Sequence, residues 1–192
     1  MNRRFWAYSV TRRAIQAAFP LFYSIETEQA EPLPQQGPAV ILPKHQSWTD
    51  IPLVCLSFPV PLYYVAKKEL FRYPGIRSYL KRLGGIPLDR EQSIRTLESV
   101  KQLATLLKGP GKVVIFPEGT YVPKVVGPGK SRLIQFILRL QAELEQPIPF
   151  FPMGIRYGER NGWKQRVEIR IGSPLTAEND SDASSLTERI MR

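Results

Sequence analysis

The sequence is poor in the two residues that most often bind metals or form covalent links, with one cysteine, Cys55, and one histidine, His45. A single cysteine cannot close an internal disulfide, and the pair cannot supply a zinc cluster. Cys55 lies in the apolar run of residues 51–58, which favours a small buried hydrophobic residue over a nucleophile. We therefore expect a protein of a reducing compartment, with neither a metal nor another cofactor.

The sequence also lacks an apolar run long enough to cross a bilayer. The uncharged stretch of residues 51–66 contains three prolines and is shorter than the ~20 residues required. Arginines near the amino terminus interrupt what would be a signal-peptide core. Residues 1–23 instead predict an amphipathic helix in which arginines alternate with aromatic residues, a pattern that favours the bilayer interface. A helix docked on the core with its arginines in water fits the same pattern.

Acidic residues are too few to balance the basic ones, since 17 Asp and Glu face 27 Lys and Arg and leave a net charge of +10. Such an excess favours a polyanionic partner, which could be a nucleic acid, an anionic membrane or a phosphorylated substrate. No RNA-recognition signature, zinc finger or helix-turn-helix pattern is present. The charge alone indicates only that the partner is negatively charged. It is the sole support for a nucleic acid, which is not predicted, whereas the N-terminal segment also favours an anionic membrane surface.

Short apolar strands alternate with helical patterns between residues 39 and 171. Strands are predicted at residues 39–43, 62–66, 84–88, 112–116, 150–157 and 167–171. Helices are predicted at residues 50–58, 73–82, 93–108 and 130–144. The alternation predicts an α/β fold with a mixed, largely parallel sheet flanked by helices. We expect one domain over residues 39–192 with a polar tail beyond Thr176, preceded by a linker rich in Glu, Gln and Pro over residues 24–38.

His45 and Asp50 form the first candidate site, because they follow a predicted buried strand and are separated by a short polar turn. A carboxylate there can fix the imidazole tautomer and leave the other ring nitrogen free to accept a proton. This is the base-and-orienter half of a catalytic triad. Ser47 is too close in sequence to be the nucleophile, and no nucleophile elbow is present. The base would then activate a substrate hydroxyl directly, while Asp50 could also cap the following helix.

A second candidate is the turn Phe116-Pro117-Glu118-Gly119-Thr120, which follows another predicted strand. Taken alone, this motif is weakly specific, because a tight turn with an exposed glutamate has the same sequence. Nearby cations could bind phosphate groups or remain solvated surface charges. They are Lys67, Lys68, Arg72 and Arg90.

Four motifs in this order resemble the glycerolipid acyltransferase family, whose best-known members are the 1-acylglycerol-3-phosphate acyltransferases. The resemblance extends from about Pro43 to Pro152. The motifs are His45 with Asp50, residues 68–90 with Gly84-Gly85-Ile86-Pro87-Leu88-Asp89-Arg90, residues 116–120, and Pro149-Phe150-Phe151-Pro152.

The resemblance implies an acyltransferase domain over residues 39–192 that transfers a fatty acyl group to a lysophospholipid hydroxyl in phospholipid biosynthesis. The donor would be acyl-CoA or acyl-carrier protein. His45 would deprotonate the acceptor, oriented by Asp50, without an acyl-enzyme. The substrate-binding residues would be Lys68, Arg90, Glu118, Gly119, Thr120 and Pro152. The protein would act at the cytoplasmic face of a membrane, peripheral or monotopic, through its N-terminal helix.

The sequence departs from the family pattern at two places. Lys44 replaces a small polar residue, and Tyr121-Val122 replaces an Arg-Ser pair whose arginine is associated with the acceptor phosphate. The acceptor is therefore open between 1-acylglycerol-3-phosphate, another lysophospholipid and a different hydroxylated lipid. Lys124, Lys130 or Arg132 could supply the missing cation. A hydrolase and a non-catalytic lipid-binding protein on the same fold are the alternatives.

Overall fold

The computed structural model describes residues 3–88, 97–144 and 146–192. Seven strands in this part of the chain form one sheet, in the order β1-β7-β6-β2-β5-β3-β4. The strands are β1 Tyr23–Gln29, β2 Ala39–Pro43, β3 Leu62–Lys67, β4 Gly85–Leu88, β5 Lys112–Val114, β6 Phe150–Asn161 and β7 Lys164–Ile171. The α-helices are α1 Arg3–Phe22, α2 Asp50–Ser57, α3 Pro74–Arg82, α4 Leu97–Lys108, α5 Arg132–Leu144 and α6 Ala183–Ile190.

The sheet is mixed and mostly parallel, which confirms the predicted fold class. Strands β6, β2, β5, β3 and β4 run in one direction. The hairpin partner β7 pairs antiparallel with β6, and β1 pairs parallel with β7. Parallel neighbours cannot be joined by a tight turn, so the chain crosses between them through helices. These crossovers cover the faces of the sheet.

The central strand β2 shows how the sequence places helices on both faces. All five of its residues are buried, as expected for a strand covered on both sides. Val40 and Leu42 pack into a cluster with side chains of α4, α5 and α6. Ala39 and Ile41 point to the opposite face, where they pack with side chains of α2. The period of two along the strand therefore divides one apolar run between two cores.

Helix α1 docks on the body of the protein at the carboxyl end of α2. The Tyr8 hydroxyl donates to the Val60 carbonyl at 3.3 Å, and Arg12 Nη2 donates to the Phe58 carbonyl at 2.9 Å. Arg12 thereby satisfies a carbonyl beyond the last turn of α2 and is not simply in water. Among the described side chains of this helix, four large apolar ones are exposed, namely Trp6, Val10, Leu21 and Phe22.

Two further expectations about apolar segments can be compared with the structure. Among the described helices, none combines the length and apolarity needed to cross a bilayer. Cys55 is a buried free cysteine, and burial raises the pKa of its thiol. A buried, protonated thiol is a poor nucleophile, which confirms the prediction that Cys55 is a small core residue.

The segment predicted as a linker, residues 24–38, begins instead as part of β1, an edge strand. Most side chains of β1 are exposed. The sequence of β1 therefore lacks the alternation of apolar and polar residues that identifies a half-buried strand. Cross-strand ion pairs join it to β7, because Glu26 lies 2.9 Å from Arg166 and Glu28 lies 3.5 Å from Arg170. Charged residues are a common feature of edge strands, where they discourage pairing with other chains.

The polar tail beyond Thr176 is also more ordered than predicted. It contains a 3-10 turn at Asp180–Asp182 and then α6. Ala183, Leu186 and Ile190 of α6 are buried against the same core as α4 and α5. Three apolar residues spaced three and four apart are enough to attach a two-turn helix to an existing core. Residues 93–96 of the predicted fourth helix lie outside the described residues.

Candidate active site

The sheet topology brings the two candidate motifs to one edge. Strands β2 and β5 are parallel neighbours, with Ile41 paired to Val114. The Ile115 amide continues this ladder by donating to the Ile41 carbonyl at 2.9 Å. The segments that follow the two strands, residues 44–50 and 115–120, therefore emerge side by side at the carboxyl edge, where sites in such sheets form.

His45 and Asp50 are in hydrogen-bonding contact. His45 Nδ1 lies 3.1 Å from Asp50 Oδ2, and the aspartate side chain is fully buried. In the described part of the chain, the second ring nitrogen, Nε2, makes no hydrogen bond. A carboxylate at Nδ1 favours the tautomer that carries its proton there, which leaves the Nε2 lone pair available as a base. The spacing prediction that the two side chains meet is confirmed, while their catalytic roles stay predictions.

The Asp50 carboxylate is fixed by three further donors. Its Oδ2 accepts from the amides of Gln46 and Ser47 at 2.5 and 2.7 Å, and its Oδ1 accepts from the Tyr157 hydroxyl at 2.6 Å. The prediction that Asp50 caps the following helix is wrong, because α2 begins at Asp50 and its N-cap position is Thr49. The carboxylate instead closes the turn that carries His45.

Tyr157 is the site residue that the sequence did not indicate. It lies in β6, 107 residues after Asp50, and its hydroxyl oxygen is also 2.7 Å from Thr49 Oγ1. Burial, together with the Asp50 carboxylate, raises the pKa of Tyr157 far above its ordinary value. The hydroxyl therefore stays protonated and can donate to Asp50. Only the pairing of β6 with β2 brings it to the site, and no local pattern marks that contact.

Two aromatic rings contact the His45 imidazole. The Phe116 ring stacks on it with centroids 3.9 Å apart, and the Tyr121 ring lies 4.4 Å away at 57°. Tyr121 is one of the two positions at which the sequence departs from the family pattern. In this chain the Tyr121 ring therefore lies against the His45 imidazole.

Glu118 ties the His45 loop to the loop that follows β5. Its Oε1 accepts from Lys44 Nζ and from the Gly127 amide, each at 2.7 Å, and its Oε2 accepts from the His45 amide at 2.8 Å. Lys44 Nζ also donates to the Val122 carbonyl at 2.6 Å. Lys44, the other departure from the family pattern, thus neutralises a buried carboxylate. The pair holds the backbone of His45 in place.

Comparison with known proteins identifies the family of a chain with this fold and site. A family model described as "Acyltransferase" matches residues 24–156. The chain belongs to the acyltransferase family. This membership confirms the family that the four motifs indicated.

Two relatives of this acyltransferase carry the name 1-acyl-sn-glycerol-3-phosphate acyltransferase. The protein from Bacillus subtilis is 30% identical over 169 residues, which are 88% of this chain and 82% of the relative. The protein from Pseudomonas aeruginosa is 34% identical over 160 residues, which are 81% of this chain and 60% of the relative.

A solved structure has the same fold. It is the 1-acyl-sn-glycerophosphate acyltransferase from Thermotoga maritima, which aligns with a TM-score of 0.65 at 24% identity, over 98% of this chain and 79% of that one. The described part of the chain therefore shares the fold of that protein.

The other residues that the family resemblance implies for substrate binding lie at separate places in the fold. Gly119 occupies the turn after β5 with a φ of 71°, and the exposed Thr120 follows it. Lys68 is exposed at the start of a 3-10 turn after β3. Pro152 lies in β6, in register with Leu42. The roles of these four in substrate binding stay predictions.

Arg90 lies outside the described residues. Glu118 is buried and contacts Lys44, His45 and Gly127, and its role in binding the acceptor also stays a prediction.

A cavity of about 630 Å³ opens at the opposite end of the parallel strands, between residues 58–61 and 109–112. Its one buried charge, Lys112, donates from Nζ to the Gly37 carbonyl at 2.6 Å, and burial lowers its pKa. The described lining of this cavity contains no acid–base pair.

Among the described residues, no group of His, Cys, Asp and Glu could hold a metal ion. The carboxyl edge of the sheet, where His45 and Asp50 lie, is therefore the candidate active site.

Proposed function

We propose that this acyltransferase moves a fatty acyl group from acyl-CoA or acyl-carrier protein to the hydroxyl of a lysophospholipid, as a step of phospholipid biosynthesis. The first candidate acceptor is 1-acylglycerol-3-phosphate, the substrate in the names of its relatives. The observation that carries the proposal is the buried Asp50 carboxylate 3.1 Å from Nδ1 of the single histidine.

In the proposed reaction, His45 acts as a general base. With Nδ1 hydrogen-bonded to Asp50, Nε2 accepts the proton of the acceptor hydroxyl. The hydroxyl oxygen attacks the thioester carbonyl, a new C–O bond forms, and the C–S bond breaks. The proton then passes from the imidazolium to the leaving thiolate, so the products are an ester and a free thiol. The imidazolium that forms in between is stabilised by the Asp50 carboxylate.

Direct attack by the acceptor needs no protein nucleophile, and the site supports that feature. The candidate in the loop, Ser47, has its hydroxyl 3.0 Å from Thr49 Oγ1. In the described part of the chain its hydroxyl makes no hydrogen bond to His45. A serine without a base partner is not activated for acyl transfer.

A cation near the His45 loop would bind the acceptor phosphate. Lys124 is the best placed of the three cations considered from the sequence, because its amide donates to the Gln46 side chain at 3.0 Å. This hydrogen bond fixes the Lys124 backbone relative to Gln46, the residue next to His45. We assign it the phosphate contact that an arginine at position 121 would otherwise make.

We further propose that the protein acts on the cytoplasmic face of an anionic membrane as a peripheral or monotopic enzyme. Helix α1 supports this, because it docks on the core yet exposes large apolar side chains. Aromatic and aliphatic side chains beside arginines fit the interface between headgroups and acyl chains. Trp6→Ser with Val10→Ser should therefore weaken binding to anionic vesicles, and unchanged binding would remove this role from the helix.

The function is tested by measuring thiol release from acyl-CoA and from acyl-carrier protein with a panel of acceptors. We expect release that depends on a lysophospholipid acceptor and falls by about 10³-fold or more in His45→Ala, whose melting temperature should stay close to that of the wild type. Release without any acceptor would indicate a hydrolase. Lipid binding without release from either donor would indicate the non-catalytic alternative.

A further inference from the structure

The cavity at the amino-terminal end of the parallel strands takes no part in the proposed reaction. Its lining comes mainly from residues 32–35, 58–61 and 109–112, which precede β2, β3 and β5. None of its described lining residues belongs to the loops of the candidate active site, residues 44–50 and 115–122. Strand β2 lies between the two regions, and all five of its residues are buried. A ligand in this cavity would therefore occupy a site distinct from the candidate active site.

The lining of the cavity is mostly apolar and rigid. Five of its residues are prolines, which have a fixed φ and no amide donor, namely Pro32, Pro34, Pro59, Pro61 and Pro110. Apolar side chains, including Leu33 and Leu106, also line it. Arg12 holds the loop at residues 58–61 from outside by donating to the Phe58 carbonyl at 2.9 Å. The cavity is therefore preformed, which lowers the entropic cost of binding a ligand.

Among the described lining residues, Lys112 is the one that carries a charge. It is 4% accessible, and its ammonium donates to the Gly37 carbonyl at 2.6 Å. An ammonium has three N–H donors, and no other described group accepts from this one. Burial lowers the pKa of the Lys112 amine, because no described anion offsets its loss of solvation. The cavity thus contains a buried cation without a counter-charge.

The size and the charge of the cavity determine which ligand fits it. Its volume of about 630 Å³ lies within the range of roughly 300–1,000 Å³ that small-molecule sites have. One ammonium balances the single charge of a carboxylate, whereas a phosphate monoester carries nearly two charges. The apolar walls favour hydrocarbon over a polar body. A monocarboxylate with an alkyl chain meets all three conditions.

We propose that the cavity is a second ligand site, which binds an amphiphilic monocarboxylate of the class of the free fatty acids. Its carboxylate accepts from the Lys112 ammonium, and its alkyl chain packs against the prolines, Leu33 and Leu106. Such a carboxylate is neither the thioester nor the hydroxyl substrate of the proposed reaction, and neither the ester nor the thiol product. The site therefore adds a ligand to those that the proposed function requires.

The first test measures displacement of a fluorescent fatty acid from the full chain by dodecanoate and by dodecanol. We expect dodecanoate to bind about 10- to 100-fold more tightly, because its carboxylate makes a charge-assisted hydrogen bond with a buried ammonium. Lys112→Met should remove this preference. The matched control, Lys108→Met, removes an exposed charge from α4 and should change both affinities by no more than about twofold. Equal affinities in the wild type, or a preference that Lys112→Met retains, would overturn the proposal.

The second test obstructs the cavity and leaves Lys112 in place, because Lys112→Met also removes the hydrogen bond to Gly37. Thr105 lies in the lining and is exposed on α4. Thr105→Trp should therefore weaken dodecanoate binding by about tenfold or more, with a melting temperature close to that of the wild type. The matched control is Gln102→Trp, on the same helix and outside the described lining. Equal affinities of the two variants would contradict the proposal.

The third test locates the ligand with a fatty acid that carries a diazirine on its chain, crosslinked by light and mapped by peptide mass spectrometry. We expect label in residues 58–61 and 105–112, and less of it in Lys112→Met. Label confined to residues 44–50 or 115–122 would place the ligand in the candidate active site and would overturn the proposal. These measurements need no turnover, so binding in the cavity without acyl transfer would contradict the proposed function alone.

Discussion

Replacing Lys44 tests the arrangement that holds the loop carrying His45. Lys44 and Glu118 form an ion pair at 2.7 Å, with side chains 10% and 0% accessible. Lys44→Met keeps the length of the side chain and removes its charge, which leaves the Glu118 carboxylate buried without a counter-charge. The backbone donors from His45 and Gly127 remain and offset part of the loss.

Removing one partner of a buried ion pair costs about 3–5 kcal/mol. With two hydrogen bonds retained by the carboxylate, we expect a loss of about 2–4 kcal/mol in the free energy of unfolding of the Lys44→Met variant. For a chain of this size, that corresponds to a fall of roughly 5–15 °C in Tm. Glu118→Gln in the same background should restore part of the loss, because it removes the unpaired charge.

Urea unfolding and thermal melts of the single and double variants measure this directly. The control is Arg139→Met, which breaks the exposed pair with Asp180 at the same N–O distance of 2.7 Å. An exposed pair contributes little, so its Tm should change by at most about 2 °C. If Lys44→Met were no more destabilising than Arg139→Met, the pair would not be holding a buried charge and the reasoning would be wrong.

Three further variants test other parts of the structure. Tyr157→Phe should lower kcat about tenfold with KM unchanged, because it removes a hydrogen-bond donor from the Asp50 carboxylate that we propose orients His45. Tyr64→Phe should leave kcat intact, and equal effects would contradict that role. Gly119→Ala should cost about 1 kcal/mol or more at a positive φ, whereas Gly75→Ala in α3 should not destabilise. Leu186→Ala should cost about 2–5 kcal/mol in urea unfolding, and no change would mean that α6 is not part of the core.

The sequence was informative where apolar patterns and short spacings determine the structure. Strand β2 and helix α2 are continuous apolar segments, and the parallel sheet follows from their alternation. The contact between His45 and Asp50 is local, since the two residues are five positions apart in the sequence. For that reason the central part of the site could be predicted before the topology was known.

The contacts that the sequence did not indicate depend on tertiary pairing or on weak apolar patterns. Tyr157 reaches Asp50 only because β6 pairs with β2, and Glu118 reaches the His45 amide only because β5 does. The sequence of strand β1 predicts a linker because its exposed, charged residues resemble a loop sequence. Helix α6 was missed because few apolar residues attach it to the core. Such features follow from long-range pairing rather than from local propensity.

The central claim is that His45 activates the acceptor directly, without a covalent acyl-enzyme. The most direct measurement is thiol release from acyl-CoA in a single turnover, with the acceptor withheld and then added, while the protein mass is followed. We expect no thiol release and no gain in protein mass until the lysophospholipid is added, and then release that His45→Ala abolishes. A burst of thiol with acylated protein before any acceptor is present would contradict it.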